Sequence, residues 1–136
     1  MPRVVLDPNV LTSGLLTARG ASTRILLHQR SGAFELVTSP ALSTELRAAL
    51  RRDKFRRYVT ADEADEFVEL VRRESTMIQD PEASTGPIGE DPGDEYLIRL
   101  ARKARADALV SGDPDLTRLK PRIPVKTPRE FLDGLG

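Results

Sequence analysis

The chain has no cysteine, so neither a disulfide nor a thiolate metal site is open to it. Histidine is nearly absent as well. The sole one, His28, sits in a helical run beside Ile25 and Leu26 and reads as a surface or boundary residue. Imidazole catalysis and histidine-rich zinc sites are therefore poor candidates. Charge of either sign is not in excess: 21 acidic and 21 basic side chains balance to zero. There is no global pull on nucleic acid, and any such binding has to come from local patches. No apolar run is long enough to span a bilayer, and the first strand begins so early that it leaves no room for a signal peptide. The expectation is a cytoplasmic protein in which any metal is held by oxygen ligands, which points to Mg²⁺ or Mn²⁺.

What is present suits one ordinary domain over residues 1–136, with hydrophobic content of 39% and charged content of 31%. Its organising stretch is Val4-Val5-Leu6-Asp7-Pro8-Asn9. Three apolar residues, two of them β-branched, run into an acid, a proline and an amide. That is a short buried strand ending at Asp7, because Pro8 cannot donate a ladder hydrogen bond. Asp7 and Asn9 then project beyond the carboxyl end of the strand, where ligands collect in open α/β sheets. Either of them also suits the cap of a following helix.

Helical runs are expected from Val10 to Leu16 and from Ser22 to Arg30, followed by a strand at Phe34–Thr38. Ser39-Pro40 is a helix start, with serine as N-cap and proline at the first position. The helix it opens, from Ala41 to about Arg52, carries Leu42, Leu46, Ala49 and Leu50 on one stripe with Glu45 at its border. A glutamate at that border is met by a metal or a neighbouring cation, or it reaches to solvent or pairs with Arg52. Arg51, Arg52, Lys54, Arg56 and Arg57 follow, interleaved with Phe55 and Tyr58: a phosphate-contacting patch or a solvated face. Thr60 caps another helix that buries Ala64, Phe67, Val68 and Val71, and Asp80 to Pro92 reads as a functional-length loop. A helix from Asp94 to about Arg105 leads to a strand at Ala108–Ser111 and on to Gly112-Asp113-Pro114-Asp115, repeating the opening logic of apolar strand, acid and proline. A short strand around Ile123 to Val125 precedes the capping box Thr127-Pro128-Arg129-Glu130 of a terminal helix. Alternating strands and helices predict a three-layer α/β/α sandwich with a mostly parallel central sheet.

Carboxylates thus stand at element ends in four places: Asp7, Glu45, Asp94 and the Asp113/Asp115 pair. Gathered into a ring, they cannot all stay ionised without a cation. A divalent ion so held activates water and stabilises charge on a phosphodiester.

These pieces resemble the PIN-domain family, in particular the VapC-like toxin ribonucleases of bacterial toxin–antitoxin pairs. The resemblance covers nearly the whole chain. It rests on Val5-Leu6-Asp7-Pro8-Asn9-Val10-Leu11, on Ser39-Pro40-Ala41 leading to Glu45-Leu46, on Asp91-Pro92-Gly93-Asp94, on Ala106 through Leu116, and on Thr127 through Leu132. It implies a metal-dependent endoribonuclease restrained by a cognate antitoxin, and a homodimer. By the same resemblance Asp7, Asp94 and Asp113 are primary metal ligands, Glu45 completes the site, and Asp115 is an additional or alternative ligand. Asn9 and Ser111 support the acids, while Arg51, Arg52, Arg56 and Arg57 are candidates to guide RNA or receive an acidic antitoxin segment. Pro8 departs from the small residue usual at its position but removes no ligand. One rival reading is a PIN-like module that only binds RNA or a partner. Another is a phosphotransfer domain with Asp7 as nucleophile. That one wants a second aspartate where Asn9 stands and a lysine beside Asp113, where there is none.

Overall fold

The computed structural model describes residues 1–17, 20–81, 95–118 and 124–135. In chain order the elements are β1 (Arg3–Leu6), α1 (Pro8–Leu16), α2 (Ala21–Arg30), β2 (Glu35–Thr38), α3 (Pro40–Leu50), a 3₁₀ turn at Asp53–Phe55, α4 (Ala61–Glu74), β3 (Thr76–Met77), α5 (Glu95–Ala104), β4 (Ala108–Val110), α6 (Pro114–Thr117), β5 (Val125–Lys126) and α7 (Pro128–Gly134). The five strands form one sheet in the order β3-β2-β1-β4-β5, and every pairing is parallel. Helices flank it as an α/β/α sandwich.

β1 holds the centre. Val4 faces Leu36 of β2 and Ala108 of β4, and Leu6 faces Val110. Val4, Val5 and Leu6 are fully buried, as are Leu109 and Val110. A strand covered on both faces reads as a continuous apolar run, which is what the sequence presents at both positions. α1 packs on both α2 and α3, α3 packs on α4, α5 packs on β1 and β4, and α7 reaches α2, β4 and β5. The Phe34 and Phe131 rings meet edge to face at 5.2 Å, tying α7 to the entrance of β2.

Local signals place the helix ends. Ser39 Oγ accepts the Leu42 N–H at 3.2 Å, and both Thr60/Glu63 and Thr127/Glu130 form reciprocal capping boxes. α1 starts at Pro8 rather than Val10, because the Asp7 carboxylate caps it with Pro8 in the first turn. β3 and α6 are not foreseen from sequence. Both residues of β3 are exposed, so it has no apolar pattern to read, and α6 is a single turn of four residues. Most of the expected loop from Asp80 to Pro92, the helix start at Asp94, and Ile123 of the last expected strand lie outside the described residues.

Candidate active site

The strand order turns back at one place. The chain builds outward from β1 to β3 on one side of the sheet, then returns to lay β4 and β5 on the other. The crevice at the carboxyl ends of β1 and β4 is therefore the switch point of the sheet, where such folds bind ligands. Leu6 and Val110 are the last paired residues, and the next amide, Asp7 N–H, still donates to the Val110 carbonyl at 3.0 Å.

Both strands end the same way. Asp7 Oδ1 accepts the Asn9 N–H at 2.9 Å, and Asp113 Oδ1 accepts the Asp115 N–H at 2.9 Å. Each aspartate caps the helix that its own proline opens. The capping role and the site role of Asp7 thus coexist in one side chain. Ser111, fully buried, joins the two. Its hydroxyl donates to Asp7 Oδ2 at 2.7 Å, and its oxygen accepts the Asp113 N–H at 3.0 Å.

Asp7 is 4% exposed. Burial raises its pKa, the Asn9 amide and the Ser111 hydroxyl pull it back, and the Asp113 charge raises it further; the net direction is upward. Neither Asp7 nor Asp113 forms an ion pair among the described residues. Two acids at one crevice with no organic cation paired to them among the described residues fit a divalent metal, and an all-oxygen donor set fits a hard one.

The other expected site residues fall out as follows. Asn9 contributes its backbone amide to the Asp7 cap while the residue itself is exposed. Asp115 is half-buried, and its carboxylate is taken up by Arg118. Glu45 stands on α3, which starts at the tip of β2, and is exposed, with no partner among the described residues. It therefore reaches to solvent and does not pair with Arg52. Asp94 and its neighbour Asp91 lie outside the described residues. Among the described residues no three acids or histidines converge as a metal-binding group. Sequence reasoning missed Asp80, whose Oδ2 accepts the Ala41 N–H at 2.8 Å and so adds a second cap to α3. Nothing local marks it, because its partner is far away in the chain.

Fold and site together define a parallel α/β domain that gathers carboxylates at its switch point. A family model described as "PIN domain" matches residues 3–115, and the chain belongs to that family. PIN domains are generally metal-dependent nucleases. Among solved structures, the chain is similar to one described as VapBC2 from Rickettsia felis bound to a DNA fragment from their promoter. That match has a TM-score of 0.63 at 12% identity and covers 92% of this chain and 98% of that one. At that identity the likeness is one of fold. A search of curated proteins finds no match. Among the described residues no helix is long and apolar enough to cross a membrane.

Proposed function

We propose that this chain is a metal-dependent endoribonuclease, the toxin of a type II toxin–antitoxin pair, working in the cytoplasm as a homodimer and silenced by a cognate antitoxin. The observation that carries the reading is the Asp7–Ser111–Asp113 linkage at the switch point, with a buried carboxylate that has no cationic partner among the described residues. Membership of the PIN domain family supports nuclease chemistry. The fold neighbour, a VapBC assembly, supports an antitoxin partner.

In this reading Asp7, Asp94 and Asp113 hold Mg²⁺ or Mn²⁺, Glu45 completes the site, and Asp115 joins only by releasing Arg118. The bound ion supplies Lewis-acid polarisation of the phosphodiester and a water of lowered pKa. The protein's part is placement. Two hydrogen bonds fix the Asp7 carboxylate, Ser111 sets its spacing from Asp113, and Pro8 and Pro114 stiffen the turns behind both acids. The test is cleavage of a mixed RNA pool with Mg²⁺, with Mn²⁺ and with EDTA, beside Asp7→Asn. Metal-dependent cleavage lost in the variant upholds the reading. Absence of cleavage with either metal, alongside measurable RNA binding, favours the binding-module alternative.

A further inference from the structure

The fold divides the basic run between α3 and α4 into paired and unpaired cations. Arg51 Nη2 lies 2.9 Å from the Asp65 carboxylate, and Arg47 Nε lies 3.3 Å from the same group, so both are engaged in joining α3 to α4. Arg56 meets Asp53 at 3.5 Å with both side chains largely exposed, a pair that solvent weakens. Arg52 and Arg57 have no partner among the described residues. Beside them Tyr58 is 65% exposed. It lines one shallow concavity together with Asp53, Lys54, Arg56 and Arg57.

The exposure of Tyr58 is built in. The Tyr58 and Val59 amides both donate to the Phe55 carbonyl at 2.9 Å. Val59 is buried, Phe55 is half-buried beneath the Lys54 ammonium, which lies 5.0 Å from its ring, and Thr60 caps α4 at once. The backbone is anchored on both sides of a ring that points to water. A fixed aromatic face with unpaired guanidinium beside it is the combination that binds single-stranded nucleic acid: the ring stacks a base and the cations hold flanking phosphates. A duplex keeps its base faces stacked inside. An acidic peptide would satisfy the charge but offers the ring no planar partner.

We propose that the Lys54–Tyr58 turn is a single-stranded RNA subsite, with Tyr58 stacking a base and Lys54, Arg56 and Arg57 holding phosphates. The proposal rests on the ribonuclease reading for its choice of RNA and extends it to where the strand runs. α3, of 11 residues, separates the turn from the tip of β2, a span of about 16 Å.

The test is binding of a fluorescein-labelled single-stranded RNA 12-mer to the full chain in EDTA, followed by anisotropy, so that cleavage plays no part. Arg57→Ala with Tyr58→Ala is expected to weaken binding about ten-fold. Tyr58→Phe keeps the affinity, Tyr58→Leu lowers it by less than the double variant does, and Arg57→Ala alone lowers the slope of log Kd against log salt by about 0.7. Circular dichroism confirms that the variants fold. Wild-type affinity in the double variant overturns the subsite, as does equal Tyr58-dependent binding of the same RNA as a duplex or of a labelled polyglutamate. Because no metal is present, a chain that never cleaves RNA can still pass, and an active nuclease can still fail.

Discussion

Ser111 and Asp7 lie 104 positions apart, yet the Ser111 hydroxyl donates to Asp7 Oδ2 at 2.7 Å in a buried contact. Ser111 Oγ in turn accepts the Asp113 N–H at 3.0 Å. One hydroxyl therefore sets the distance between the acids at the ends of two strands.

Removing it has a calculable cost. Ser111→Ala leaves the Asp7 oxygen without its donor and the Asp113 N–H without its acceptor. A loss of about 1–3 kcal/mol in urea unfolding is expected. Divalent-metal affinity, followed by calorimetry, should fall about 10- to 100-fold. Ser111→Thr keeps the hydroxyl and should recover most of both. Parental metal affinity in Ser111→Ala would sink the bridging role.

Asp7 makes stability depend on pH with a definite sign. Burial raises its folded pKa above the ordinary carboxylate value of 3.8. Within the window between those two values the native state binds more protons than the unfolded one, so stability falls as pH rises through it. Asp7→Asn removes this fall. Without metal, the variant should melt above the parent at neutral pH, and the gap should close toward about pH 4. A gap of the same size across the range would show that burial of the charge is not its cause.

A divalent ion should reverse that order. At about 100 times its Kd, Mg²⁺ or Mn²⁺ binding to the native state alone stabilises the parent by about 2.7 kcal/mol. Asp7→Asn and Asp113→Asn should lose most of this gain in thermal melts. An equal rise in all three proteins would place the ion elsewhere.

Asp80 should matter to the helix bearing Glu45. Its carboxylate holds the Ala41 N–H while Ser39 Oγ holds that of Leu42. Asp80→Ala is expected to cost about 0.5–2 kcal/mol, the usual range for a lost cap. Hydrogen exchange should quicken first at the Ala41 amide, and unchanged protection there would remove the cap from the account.

Arg105 closes α5 in a left-handed conformation, with φ at 52°. The Ala106 N–H reaches back to the Ala101 carbonyl at 2.9 Å and the Arg105 N–H to that of Arg102 at 3.1 Å, a Schellman ending that favours glycine. Arg105→Gly should stabilise the protein by about 0.5–1 kcal/mol in chemical unfolding, since it relieves a strained φ at an exposed position. A loss of stability would mean that the Arg105 side chain makes up for the strain.

Local chemistry was legible in the chain itself. Val4-Val5-Leu6 and Ala108-Leu109-Val110 announce strands buried on both faces, Ser39-Pro40 and Thr127 with Glu130 announce helix starts, and the proline after Asp7 and Asp113 announces where each strand stops. All of these depend on neighbours a few residues away. β3 escaped because its two exposed residues carry no pattern. Asp80 escaped because its partner amide belongs to another element.

Which acids meet was decided only in three dimensions. Sequence offered Asp7, Glu45, Asp94, Asp113 and Asp115, ranked only by the family resemblance. Parallel pairing of β1 with β4, in a register that sets Leu6 against Val110, put Asp7 and Ser111 in contact and Asp113 beside them, while leaving Glu45 in solvent and Asp115 on Arg118. The same holds for the basic run, where packing of α3 on α4 engaged Arg51 with Asp65 and left Arg57 beside an outward Tyr58. The sequence determined the kinds of group available and the ends of the elements that carry them. Strand order and helix packing, driven by burial of apolar faces, determined which of those groups share a site.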